Sequence, residues 1–180
     1  MANNVMVDLE TMGTSNDAAI VSIGAVAFTD DGEMLGTYYM PVDLESSMEN
    51  GGLVDASTIL WWMKQSDVAR GEFTAKPTVS IVDALLSFEE FWDDMAGENG
   101  VLWGNGATFD NVILGSAYSR IGLKTPWKFR NSLCYRTMKN QYPNILPDET
   151  DGIHHNALHD AEFQTLHLIK ILKHIKEVKL

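Results

Sequence analysis

The sequence predicts an α/β layered domain with a mixed sheet, and three observations carry that expectation. Strand-like apolar runs come first, over residues 5–11, 19–28 and 34–42. Helical and strand-like patterns then alternate towards the C-terminus, the order that builds layered α/β domains. A length of 180 residues, 45% hydrophobic and 21% charged, suits one domain (1–180) with a sizeable core.

The first run is β-branched and apolar until it reaches Asp8 and Glu10. Residues 12–17 are a loop by composition, with Gly13, Ser15, Asn16 and Asp17. Residues 19–28 are apolar enough for a strand buried on both faces. Asp30, Asp31 and Gly32 then form a hairpin turn into the strand at 34–42, so the second and third strands are antiparallel. Asp55 or Ser57 is the expected cap of a helix through Trp61, Trp62 and Gln65, and Ser66 restarts a short turn to Arg70.

Pro77 breaks the chain. Ser80 and Asp83 resemble a capping box for a helix to about residue 95, with Ile81, Leu85, Phe88 and Trp92 as its inward stripe. Residues 101–105 read as a short buried strand, followed by a helix over about 109–121 that Gly122 stops. An edge strand is expected at 127–130, with Ser132 capping a helix to about Gln141. A proline-containing loop spans 143–151, and a last helix covers about 157–175 with Ala161, Leu168 and Leu172 on one face.

The single cysteine, Cys134, rules out an internal disulfide framework and suits a reducing cytoplasm. No apolar run approaches the ~18 residues needed to span a membrane, and the start of the chain lacks a basic region followed by an apolar one. A cytoplasmic protein is expected. The net charge of −12 is unevenly spread. Residues 1–110 carry 19 acids against 3 basic residues, whereas 111–147 hold no acid and six cations: Arg120, Lys124, Lys128, Arg130, Arg136 and Lys139. Such a stretch is either a locally charged surface or a landing strip for phosphates.

Asp8 and Glu10 stand at i and i+2 at the end of a strand, so they share one face. Either that strand end turns out into solvent, or the mutual repulsion is relieved by a divalent cation. Further ligands are available. Asp110 stands where a short strand gives way to a helix, a place where it could also serve as a cap, and Asp160 lies early in the last helix. His155 is five residues before Asp160, which on a continuous helix separates them by about 140°. They meet only if His155 lies in the loop before the helix, with Asn156 as its cap. Four carboxylates without a cysteine cluster favour Mg²⁺ or Mn²⁺ over structural zinc. Two such ions can clamp a phosphoryl displacement, and a neutral histidine can take a proton from the attacking water.

Asp8-x-Glu10, Asp110 preceded by Phe109, and His155-x-Ala157-x-x-Asp160 resemble the three motifs of the DEDDh branch of 3′–5′ exonucleases. A closer similarity is to the subgroup of phage exonucleases and mycobacterial-type 3′–5′ exoribonucleases. It rests on Asp8-Leu9-Glu10-Thr11-x-Gly13-Thr14, the strand at 19–26, and Asp55-x-x-Thr58-x-x-Trp61-Trp62-x-x-Gln65. Gly13 departs from many members of the wider superfamily, whose glycine directly follows the threonine. The resemblance implies a ribonuclease H-like fold: a five-stranded mixed sheet, first three strands antiparallel, with helices on both faces. It also implies two divalent metal ions, Mg²⁺ or Mn²⁺, held by Asp8, Glu10, Asp110 and Asp160, with His155 as general base.

The implied partner is single-stranded nucleic acid with a free 3′ end, DNA slightly ahead of RNA, cut to nucleoside 5′-monophosphates by a monomer or homodimer. Thr11, Met12, Asn105 and Phe109 would line the terminal-nucleotide pocket. Adjacent tryptophans on a helix diverge by about 100°. Trp61 and Trp62 are therefore either both core, or one of them stacks on a base with Gln65 sharing its face. A single-strand-binding module without turnover and a phosphohydrolase of small nucleotides are the alternative functions.

Overall fold

The computed structural model describes residues 3–74, 77–106, 108–148 and 155–178, the side chains of 72–74 excepted. The elements run β1 (Asn4–Thr11), β2 (Ile20–Phe28), β3 (Met34–Pro41), α1 (Leu44–Glu49), α2 (Ala56–Trp62), α3 (Asp67–Thr74), α4 (Ile81–Met95) and β4 (Val101–Gly104). Then follow α5 (Asp110–Arg120), a 3₁₀ turn (Phe129–Asn131), β5 (Ser132–Cys134), α6 (Tyr135–Gln141) and α7 (Ala157–Val178). The strands form one sheet in the order β3-β2-β1-β4-β5. β1 pairs antiparallel with β2, and β2 with β3. β4 lies parallel to β1, and β5 parallel to β4. This is the five-stranded mixed sheet of a ribonuclease H-like fold.

Alternation along β1 sorts its side chains between two cores. Val5, Val7 and Leu9 pack with Ile81, Leu85, Phe88 and Trp92 of α4 and with Ile113, Leu114 and Tyr118 of α5. Met6 points the other way, into a second cluster with Trp103, Tyr135, Ala161, Leu168 and Ile169. Helices therefore cover both faces. The face of Met6 is also the face of Asp8 and Glu10, the side on which α7 packs.

Ser80 caps α4, its hydroxyl accepting the Asp83 amide at 3.1 Å, and Gly122 follows α5 with φ of 76°. The loop between β2 and β3 turns at Gly32, φ 86°. Several local expectations are corrected. The edge strand is β5 at Ser132–Cys134 rather than 127–130, where a 3₁₀ turn stands. Ser132 does not cap α6, because its hydroxyl accepts from Asn111 Nδ2 at 2.6 Å and ties the edge strand to α5; Cys134 is the residue before the helix.

Asp55 stands at the N-cap of α2 but makes no capping bond; its carboxylate accepts the Thr14 amide at 2.9 Å instead. That helix ends at Trp62, so Gln65 lies in the following turn, and the turn expected to Arg70 is the longer helix α3. A short helix, α1, forms where none was expected, capped by Asp43 Oδ1 on the Ser46 amide. The last helix runs on to Val178. Among the described residues, no helix is long and apolar enough to cross a membrane.

Candidate active site

Two glycines let helices close on the end of β1. Gly24 pairs with Asp8 across the β1–β2 ladder. An ideal Cβ on Gly24 would stand 2.1 Å from the carbonyl carbon of Ala157, so the start of α7 rests directly on the sheet. On the other side, Gly104 pairs with Val7, and a Cβ there would meet Asn111 Oδ1 at 2.1 Å and Asp110 Cβ at 3.0 Å. Asp8 is thus flanked by two close helix–sheet contacts, one carrying Asp160 and the other Asp110.

Asp110 is 2% exposed. Its Oδ1 accepts the Leu9 amide at 3.2 Å and its Oδ2 the Asn105 amide at 2.8 Å, so the side chain is fixed to β1 and to the end of β4. Burial pushes its pKa up to about 6, against the pull of those amides and of the Arg136 guanidinium. Asp8 accepts from Gln164 Nε2 at 2.6 Å. Loss of hydration raises its pKa well above the ordinary carboxylate range, and the neighbouring charges of Asp110, Glu10 and Asp160 raise it further, in that order. The neighbouring carboxylates thus oppose the ionisation of Asp8, an electrostatic strain that a nearby positive charge would relieve.

His155 does stand before α7, in the left-handed region at φ 64°, where a residue other than glycine is uncommon. Asn156 Oδ1 caps the helix by accepting the His159 amide at 2.9 Å. The backbone N–H of His155 donates to Asp160 Oδ2 at 3.2 Å. The bend places a ligand atom of His155 within 4.8 Å of those of Glu10 and Asp160. The imidazole meets Trp61 edge-to-face at 4.9 Å between ring centroids and Trp62 at 6.0 Å.

These groups line a single cavity of about 710 Å³ that includes Asp8, Glu10, Asp110, His155 and Asp160. Of the residues expected around a terminal nucleotide, Thr11, Trp61, Trp62, Asn105 and Phe109 line it as well. Met12 and Gln65 do not. Met12 is buried against Ala19, Val21 and Trp62, and the Gln65 amide turns back to donate to the Trp61 carbonyl at 3.1 Å. The two tryptophans divide their work. Trp62 is 3% exposed and donates from Nε1 to the Thr11 carbonyl at 3.0 Å, whereas Trp61 is 42% exposed on the cavity wall.

Gln164 and Phe163 also line the cavity without having been expected there, and Arg136 and Lys139 of the acid-free stretch line it as well. The signal for Gln164 was its place one turn after Asp160 on the same helix. The end of the loop expected over 143–151 lies outside the described residues.

The fold and this gathering of acids at the end of β1 define an exonuclease-type ribonuclease H-like domain. The chain belongs to the family described as the 3′–5′ exoribonuclease Rv2179c-like domain, whose model matches residues 3–172. It is 30% identical over 122 residues to the exodeoxyribonuclease of Enterobacteria phage T4, a match covering 61% of this chain and 52% of that protein. The fold is similar to that of E. coli exonuclease I in complex with a dT13 oligonucleotide, with TM-score 0.64 and 16% identity over 98% of this chain and 41% of that one. It is likewise similar to exonuclease I from Methylocaldum szegediense, with TM-score 0.65 and 12% identity over 99% of this chain and 42% of that one. The chain thus spans about half the length of its phage relative and less than half of the exonuclease I chains.

Proposed function

We propose that the domain is a metal-dependent 3′–5′ exonuclease that shortens single-stranded nucleic acid to nucleoside 5′-monophosphates. The observation that carries this reading is the convergence of Asp8, Glu10, Asp110, Asp160 and His155 on one cavity. The donor set fits hard divalent cations: carboxylate oxygens, with the ionisation of Asp8 opposed by its acidic neighbours, joined by one imidazole. Asp8, Glu10, Asp110 and Asp160 would hold two such ions, Mg²⁺ or Mn²⁺. Bound there, the cations supply Lewis acidity to a water and neutralise charge on the phosphate.

The protein's own groups do the rest. An imidazole nitrogen of His155 takes the proton of the attacking water, and the aromatic edge-to-face contacts hold its ring in place. Water oxygen bonds to phosphorus as the P–O3′ bond breaks, the 3′ oxygen of the shortened strand takes up a proton, and the terminal nucleotide leaves with its 5′-phosphate. Trp61 offers an exposed ring for stacking the terminal base, an interaction worth about 1–3 kcal/mol and tolerant of sequence.

The name of the phage relative supports DNA as substrate. The family description supports a second reading, RNA ends. Digestion of matched 3′-labelled and 5′-labelled DNA and RNA strands with Mg²⁺ or Mn²⁺ tests both. The 3′ label should appear at once as mononucleotide while the 5′ label shortens stepwise. Internal fragments, or activity that persists in excess EDTA, would overturn the proposal.

A further inference from the structure

Resting on that reading, we infer that Arg136 and Lys139 of α6 bind the backbone phosphates lying 5′ to the bond being cut. Among the described residues, these are the Lys and Arg side chains that line the cavity. For an enzyme cutting at a 3′ end, every phosphate other than the scissile one lies 5′ of it. That polyanion must leave a site floored by carboxylates on a chain of net charge −12. The acid-free stretch 111–147, to which α6 belongs, is the part of the sequence that can receive it.

The two walls beside β1 differ in chemistry. On the β2 side, α2 is anchored by Trp62 packing against Met12, Ala19 and Val21, and it presents Ser57, Thr58 and Trp61 to the cavity. On the β4 side, α6 follows β5 and presents the two cations. Bases fit the first wall and phosphates the second.

Neither cation is ion-paired with a described acid, although the Arg136 charge acts on Asp110 from a longer distance. Arg120, Lys128, Lys170 and Lys176 are ion-paired with Asp17, Glu98, Asp148 and Asp31. No described carboxylate lies within ion-pairing distance of Arg136 or Lys139. Arg136 Nε donates to Asn105 Oδ1 at 3.4 Å, which leaves the Nη hydrogens of its fork for a phosphate. The backbone amide of that same Asn105 fixes Asp110, so one residue sets the phosphate wall relative to the carboxylates. Lys139 Nζ stands 5.5 Å from the Tyr135 ring centre, a contact that steers its stem while the ammonium keeps its donors.

The test is fluorescence anisotropy on single strands of increasing length, each ending 3′ in a phosphorothioate linkage that slows cutting, in Mg²⁺. Wild type should bind an octanucleotide more tightly than a dinucleotide. The R136A/K139A double variant should lose at least ten-fold in octanucleotide affinity, and its dependence of log K on log salt should be shallower by about 1.4, or ~0.7 for each of two phosphates. The charge-preserving R136K/K139R variant should recover most of the affinity, and K170A/K176A, altered on α7 outside both the cavity lining and the acid-free stretch, should bind as wild type does. An unchanged salt slope in R136A/K139A, or no recovery in R136K/K139R, overturns the assignment. A wild type that binds these strands through this pair yet leaves unmodified strands of the same sequence intact would refute the exonuclease reading and leave the phosphate wall standing. One that binds no strand refutes both.

Discussion

The carbonyl carbon of Ala157 lies 2.1 Å from where a Cβ on Gly24 would stand, and Gly24 is the residue paired with Asp8. Absence of a side chain at one strand position is therefore what lets α7 deliver Asp160 and Gln164 to Asp8. The obstacle to a larger residue is backbone, which cannot swing aside as a flexible side chain would. Gly24→Ala should push the start of α7 off the sheet, costing about 1–3 kcal/mol of stability and most of the hydrolytic activity. Thermal melts and strand digestion on the same preparation check this. Wild-type values for both would show that α7 is not held by that contact.

Asp110→Asn keeps the side chain's shape, but its amide nitrogen cannot accept one of the two backbone N–H bonds made from Leu9 and Asn105. The expected result is a folded protein whose nuclease activity falls at least about a hundred-fold and whose melting temperature no longer rises with Mn²⁺ or Mg²⁺. Retained activity at the wild-type rate would remove Asp110 from the ligand set.

Carboxyl groups with raised pKa make the metal-free fold sensitive to pH in a defined direction. Asp110 titrates at about 6 in the fold against an ordinary 3.8, and Asp8 is raised too. At these groups the folded protein holds protons more tightly than the unfolded chain, so their contribution is fully present below the ordinary carboxylate pKa; that of Asp110 is lost as pH rises through about 6, and that of Asp8 is lost in the same direction. A displacement of the size seen for Asp110 corresponds to on the order of 3 kcal/mol. In EDTA the melting temperature should therefore fall between about pH 4 and pH 6, and saturating divalent metal should flatten the decline. A metal-free melting temperature that climbs across this window would contradict the assignment.

His155 stands close enough to Glu10 and Asp160 to be read as either a proton acceptor or a ligand. The two roles separate in His155→Ala. As a general base, its loss should lower turnover about 10²–10⁴-fold while the metal-induced rise in melting temperature persists. Loss of that rise would make the imidazole a ligand. Trp61→Ala, which removes the ring edge against His155, should lower turnover less than His155→Ala does.

Where local rules and packing agree, the sequence is easy to read. Ser80 and Asp83 with the stripe at Ile81, Leu85, Phe88 and Trp92 mark α4 at both ends, because cap and buried face follow from the residues themselves. The i, i+2 spacing of Asp8 and Glu10 puts them on the Met6 face, and the five-residue gap from His155 to Asp160 requires the bend that φ 64° supplies. The edge of the sheet was misplaced because Ser132 looks like a cap, and its bond to Asn111 comes from a helix 21 residues away in sequence. Gln65 falls outside the cavity lining because α2 stops at Trp62, one turn before it. Gly24 and Gly104 carry no local signal at all, since their meaning depends on what packs above them.

The hydrogen bond from Gln164 to Asp8 spans 156 residues, nearly the full reach of the described chain. During synthesis the first acidic pair emerges early, yet its last partners arrive only after α7 has begun to leave the ribosome. A growing chain that ends before this helix has a sheet but no complete set of acids. Assembly of the site would therefore be limited by that long-range closure.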